Sequence, residues 1–242
     1  MRSILRVSGP DKEAFLQGLV TNDVARAPVW AALLTPQGKY LVDFLIVPDG
    51  DDLLVDVDAR LADDLLRRLT MYKLRSKVEV TMTDWGVSRG TGPAPDGAVT
   101  DPRDPALGWR LYGHGAGADD ATDWDAIRVD RVIPETLVEL IPNDTFILEN
   151  GFERLNGVDF RKGCYVGQEV TARMKHKTEL RKGLRQVGID GDAPPGTPIL
   201  MQDGREAGVL FTRSGDRALA YLRLDRADGP LVAGDARISF AG

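Results

Sequence analysis

Cysteine and histidine are scarce: the chain has one thiol, Cys164, and two imidazoles, His114 and His176. One thiol excludes an internal disulfide, and this set is too small for a Cys/His zinc site or a four-thiolate iron–sulfur site. The protein can give a metal or cluster at most one sulfur. A run of about 18 apolar residues is also missing, and the N-terminal MRSILRVSGPDKEAFLQGLV lacks the apolar core of a signal peptide. The expectation is a cytoplasmic protein, monomeric and without a membrane partner. There is no Ser/His/Asp set, no phosphate loop of the GxxxxGK type and no dinucleotide fingerprint, so hydrolase, NTPase and dehydrogenase readings have no support. Net positive charge is absent as well, and a formal charge of −6 argues against direct nucleic-acid binding.

What is present suffices for a sizeable core, since 43% of the 242 residues are hydrophobic. The charge is unevenly spread. Residues 161 to 185 carry eight Lys/Arg against Glu169 and Glu179, a local +6 that leaves −12 on the remainder. Such a segment is either a solvated cationic face or a docking surface for an anion.

Ser8-Gly9-Pro10-Asp11 followed by KEAFLQGLV predicts a helix capped near Ser8 or Gly9, with Phe15, Leu16, Leu19 and Val20 on its apolar side. VWAALL, the turn TPQGK and YLVDFLIV predict a hairpin, and LLVDV a further strand. A second helix starts at Asp58 with Leu61, Leu65, Leu66 and Leu69 on its stripe, and KVEVTM follows as a strand. Residues 90–108 hold four glycines and four prolines and read as a loop. GWRLYG reads as a strand, and WDAIRVDRVI as a helix after Thr122 or Asp123. Beyond residue 183, LRQVGI, PILM, AGVLFTR, ALAYLRL and ARISF are short strands between Gly/Pro/Asp turns, the pattern of a small all-β barrel or sandwich. The class is α+β, with a body over 1–182, divided into 1–45 with 115–182 and 46–114, and a C-terminal barrel over 183–242.

Three places could carry chemistry. In YLVDFLIV, alternation puts Tyr40, Val42, Phe44 and Ile46 on one face and Leu41, Asp43, Leu45 and Val47 on the other, with Asp43 the only charge. A carboxylate there either holds backbone amides or an Arg, or faces a cavity where it can bind an N–H-rich ligand or manage a proton. Asp130 shares a helix face with Ala126, Ile127 and Ile133, while Arg128 and Arg131 flank it, so a local salt bridge competes with a ligand role. Cys164 lies between Gly163 and Gly167, with Arg161, Lys162 and Arg173 nearby in sequence. It is either an inert small hydrophobe or a cation-stabilised thiolate.

The segment Lys162–Glu169, KGCYVGQE, resembles the signature of the YgfZ-type folate-binding proteins, relatives of the T-protein (aminomethyltransferase) of the glycine cleavage system. VSGPDKEAFLQGLVTNDV, LLTPQGKYLVDFLIV and ENGFERLNGVDFRKGCYVGQEVTAR extend the likeness over nearly the whole chain. The resemblance implies a cloverleaf of three subdomains around a central opening that holds tetrahydrofolate or a derivative, closed by a small β-barrel. It implies that Asp43 stands beside the reactive folate nitrogens. It matches Arg128-Val129-Asp130 to a pterin-gripping Arg-Leu-Glu run, with Asp130 one methylene shorter than the glutamate. On the same basis Cys164 and Asp43 are the catalytic candidates, and Asp130, Arg128, Lys162, Tyr165, Gln168 and Arg173 join Asp43 as folate ligands. The family's association is with synthesis or repair of iron–sulfur clusters in client enzymes, tRNA-modifying enzymes among them. One thiol then means that clusters held elsewhere are assisted. A T-protein-like one-carbon transferase and a folate-sensing binding module are the alternatives.

Overall fold

The computed structural model describes residues 1–117, 119–177 and 180–240, and the backbone only at 177. The chain forms two compact units, Met1–Thr122 with Pro142–Asp144 and Phe152–Ala172, and Asp123–Ile141 with Thr145–Gly151 and Arg173–Gly242. This division differs from the expected one at 182/183, because the second unit also takes in Asp123–Ile141, Thr145–Gly151 and the chain from Arg173.

The first unit is built on β1 (Arg2–Ser8), α1 (Lys12–Gln17), β2 (Val29–Leu34), β3 (Tyr40–Asp49), β4 (Asp52–Asp58), α2 (Ala59–Tyr72) and β5 (Glu79–Met82). Its antiparallel sheet has the order β2-β3-β4-β1-β5. The hairpin and both helices form where the sequence predicts, but α1 is capped at Asp11 instead of Ser8 or Gly9. Gly9 cannot be helical: at φ +101° it lies so close to the chain that an added Cβ would sit 2.3 Å from the Lys77 carbonyl oxygen.

β2 is buried at every position and β3 over Tyr40–Val47, so both faces of the sheet are covered. One face is apolar. Val29, Ala31, Leu33, Val42, Phe44, Ile46, Leu53, Val55 and Val57 pack there with Phe15 and Leu16 of α1 and Ala62, Leu65 and Leu69 of α2. Each fully buried Leu, Ile or Phe contributes roughly 1.5–3 kcal/mol to that layer. The opposite face is where the buried charges collect. A bulge between Leu33 and Leu34 shifts the register so that Leu34 pairs with Tyr40. Tyr40 therefore shares a face with Asp43, against the simple alternation read from the sequence.

Three short strands, β6 (Gly86–Gly90), β7 (Val99–Thr100) and β8 (Trp109–Gly113), form a separate sheet in the order β6-β8-β7. The Gly/Pro-rich stretch expected to be all loop thus contributes a strand and a 3-10 turn at Pro105–Leu107, capped by the Asp104 side chain.

In the second unit α3 (Trp124–Arg131) is capped by Asp123, and α4 (Gln168–Lys177) runs across the boundary between units. The barrel is β9 (Lys182–Asp190), β10 (Pro198–Met201), β11 (Glu206–Ser214), β12 (Arg217–Arg223), β13 (Leu231–Ala233) and β14 (Ala236–Ser239). It closes in the order β10-β11-β12-β9-β14-β13 around Val187, Ile199, Leu210, Leu222 and Ile238. The α+β class with a C-terminal barrel is as expected; β13 is the one barrel strand the sequence reading missed, and β1, β6 and β7 were missed in the first unit. Among the described residues, no helix is long and apolar enough to cross a membrane.

Candidate functional site

The loop between Gly157 and α4 carries the signature, and each of its neighbours in the first unit pins it. Thr21, fully buried, donates from its hydroxyl to the Gly157 carbonyl at 2.7 Å and accepts from the Ala32 amide at 2.9 Å. Asp159 accepts from the Arg161 amide at 2.7 Å and from Arg26 at 3.1 Å, and the first of these leads in holding its carboxyl below the ordinary value.

Lys162 then turns inward. Its ammonium donates to the carbonyls of Gln17 (2.7 Å) and Val20 (2.5 Å), the open end of α1, where orphan carbonyls favour a cation. Burial lowers its pKa to about 8, with Asp23 and Asp159 opposing. The ammonium lies 5.1 Å from the Tyr165 ring, a cation–π contact. Tyr165 is itself buried, which pushes its phenol up to about 12 against a nearby Thr171 hydroxyl.

Beyond it, Gln168 accepts from the Tyr165 amide and donates its own amide to the Tyr165 carbonyl, closing the turn into α4. Gly167, at φ +84°, lies against the hairpin turn, where an added Cβ would meet the Thr35 carbonyl oxygen at 2.6 Å. Between Lys162 on one side and Tyr165 and Gly167 on the other, Cys164 is exposed, with no atom crowding Gly163 beside it. The thiol is held out by a loop whose two ends are fastened.

This arrangement changes the expected roles. Lys162 is the anchor of the loop and is committed to two carbonyls, so it is not a spare cation for the thiolate. Arg161 and Arg173 are exposed. Tyr165 and Gln168 likewise hold the loop in shape.

Asp43, 4% exposed, accepts from the Tyr40 hydroxyl at 2.6 Å and the Trp30 indole at 2.9 Å, and Trp30 stacks on Phe152 at 3.9 Å. Two aromatic donors meet its oxygens, and the charge of Arg2 acts on it as well, in line with the expectation of an Arg partner. Beside it on the same face lies a network the sequence reading missed. Asp56 binds Arg2 (2.5 Å), Arg110 (2.9 Å) and the Tyr112 hydroxyl (2.9 Å). Arg110 and Arg103 both reach Asp101 at 2.8 Å. Burial raises the Asp56 carboxyl, but the two guanidiniums outweigh it and hold it below its ordinary value. The signal that singled out Asp43 was there for Asp56 as well, a lone acid inside the apolar run LLVDV.

In the second unit the expected Arg128 and Asp130 exchange roles. Val132 adopts φ +52° and ends α3, so Ile133 leaves the helical register and Asp130 does not share a buried face with it. Asp130 is exposed and paired with Arg131 (3.2 Å) and Arg217 (3.4 Å), the local salt-bridge alternative. Arg128 is buried and binds Glu139 (2.5 Å), Asp125 (2.9 Å), the Ile133 carbonyl (3.2 Å) and the Thr212 hydroxyl (3.2 Å). Glu139, fully buried on its side chain, also accepts from the Thr212 hydroxyl at 2.6 Å, which ties α3 to the barrel strand β11.

The chain is 32% identical to the mitochondrial iron–sulfur cluster assembly factor IBA57 of Mus musculus, with 95% of this chain and 78% of the relative aligned. It is 30% identical to the Homo sapiens protein of that name, over 95% and 78%. Against the homolog of Pyricularia oryzae it is 34% identical over 93% and 70%. The chain belongs to the IBA57 family. Residues 181–241 match the family model described as the CAF17 C-terminal beta-barrel domain, the segment that forms the closed barrel. All of this chain and 83% of the glycine cleavage system aminomethyltransferase T of Bartonella henselae superpose with a TM-score of 0.72 at 12% identity, a likeness of fold. The kinship expected with YgfZ-type proteins thus holds as membership of the IBA57 family on an aminomethyltransferase-like fold. The cytoplasmic location expected from the sequence is overturned, because the relatives named here are mitochondrial proteins.

Proposed function

We propose that this protein is an iron–sulfur cluster assembly factor that presents Cys164 to clusters carried by other proteins, tRNA-modifying enzymes among them. The observation that carries the reading is the exposed thiol on a loop fastened at Lys162, Tyr165 and Gly167. With one thiol the chain can give a cluster a single sulfur, which supports assistance rather than storage. A fixed, solvent-facing soft ligand can complete the coordination of a cluster held on a partner and let it go again. Aminomethyl transfer has only the likeness of fold behind it.

Tetrahydrofolate enters as a ligand to be measured and not as a participant, because the residues assigned to it do not fit. Asp43 already has a donor on each oxygen inside a buried aromatic cluster, Arg128 is spent on Glu139, and Asp130 is ion-paired at the surface.

The test is activation of an apo [4Fe–4S] client enzyme by a loaded cluster donor, with and without this protein. Wild type should accelerate activation, and Cys164→Ala should lose that acceleration while melting at an unchanged temperature. Equal acceleration by Cys164→Ala would remove the thiol from the mechanism. Calorimetry with tetrahydrofolate, run on wild type and Asp43→Asn, reads the folate question separately.

A further inference from the structure

The turn after α2 exposes an apolar and cationic tip in a protein that is acidic overall. Met71 is 67% exposed, Tyr72 38% and Leu74 87%. Lys73, Arg75 and Lys77 alternate with them, and none of the three forms an ion pair among the described residues, whereas Arg67 and Arg68 one turn earlier are both paired with Asp64. The Ser76 amide donates to the Lys73 carbonyl at 2.8 Å and closes the turn, and Tyr72, Lys73, Leu74, Arg75 and Ser76 border a shallow, open surface.

Leu74 is the informative residue. It follows the C-cap of α2 and adopts φ +45°, a left-handed position where glycine is the unstrained choice. It therefore carries backbone strain and leaves its side chain in water, so folding gains nothing from a leucine there. An isolated exposed leucine is ordinary, but a strained one grouped with two further apolar side chains and three unpaired cations marks a surface made for contact.

We propose that this tip, Met71–Lys77, docks an acidic segment of another protein that inserts an apolar side chain beside Leu74. Charge decides the partner's sign: three unpaired cations on a chain of net −6 select anionic surfaces at short range and leave the rest of the molecule repelled. Shape decides between a protein and an anionic bilayer. Three apolar side chains on one turn suit contact with a single inserted side chain, whereas a bilayer calls for an apolar face broader than one turn provides. The inference stands apart from the role of Cys164, which the tip does not include.

The probe is a fluorescein-labelled peptide, Glu-Asp-Glu-Leu-Phe-Glu-Asp-Asp, titrated with full-length protein and followed by anisotropy at low and moderate salt. Wild type should bind it saturably, more weakly as salt rises. Leu74→Gly should weaken binding about tenfold, the loss of one buried apolar side chain. Its melting temperature should be equal or higher, since glycine relieves the backbone, so weakening cannot be ascribed to unfolding. Lys73→Glu with Arg75→Glu should abolish binding. The proposal is overturned by absence of saturation, by equal affinity of Leu74→Gly, by equal affinity for a peptide with Ala in place of Leu and Phe, or by phosphatidylserine vesicles that bind while the peptide does not.

Discussion

The resemblance gives the signature loop at Lys162–Gly167 and the helix end at Arg128–Asp130 to the same ligand, and the two differ in what they leave exposed. In the loop the cation is buried and the reactive atom exposed: Lys162 is spent on two carbonyls of the α1 end, and Cys164 faces solvent. At the helix end the cation is also buried, but the exposed group is an acid already held by two arginines. In both places the buried charge belongs to the scaffold, because a charge taken out of water must be paired within the fold to be tolerated at all. What separates the two regions is whether an unspent functional group is left over.

The sharpest way to test this is to remove the scaffold of the helix end. Glu139→Ala removes the one fully buried carboxylate that Arg128 holds, leaving it Asp125 at the surface, and should destabilise the protein by about 3 kcal/mol, read as a fall in the urea midpoint. A loss below about 1 kcal/mol would mean that water reaches the site and that Arg128 is available to a ligand.

Lys162→Met should cost less, about 2–3 kcal/mol for two charged hydrogen bonds lost and two carbonyls left unpaired. It should also slow client activation, because the loop that holds Cys164 loses its inner fastening. The pH dependence carries a sign. Folded Lys162 releases its proton near pH 8 and the unfolded chain near its ordinary value of 10.5. Between these values the unfolded state binds more protons, so wild-type stability rises with pH in that window. Discounted for the solvent that still reaches the group, the gain from pH 8 to 10 is on the order of 1 kcal/mol relative to Lys162→Met. A difference of the opposite sign would show that the carbonyls hold the ammonium charged.

The smallest effect is expected at Asp130. Asp130→Ala removes an exposed pair and should change stability by less than about 0.5 kcal/mol and leave client activation as in wild type. A clear loss of activation would restore a ligand role to this acid and erase the contrast with the loop.

The sequence by itself determined the local elements and the oddness of particular residues. The apolar alternation of VWAALL and YLVDFLIV, the Asp58 cap and the closely spaced strands after 183 translate into hairpin, helix and barrel, because patterning and capping act over a few neighbours. The isolation of one thiol between glycines was equally legible, and so was the lone acid of the third strand. Only the tertiary structure decided what those residues face. Whether Lys162 meets a thiol or the carbonyls of Gln17 and Val20, 145 and 142 positions away, depends on where α1 ends in space. Whether Asp43 looks at a cavity or at Trp30 and Tyr40 depends on a one-residue bulge in its own strand, at Leu41. Arg128 could not be separated from Asp130 on a helical wheel until Val132 turned the chain out of the helix and Glu139 arrived from the following loop. Charges are sorted into scaffold and site by burial and pairing, and those are properties of the packed chain, set by neighbours that the order of residues does not reveal.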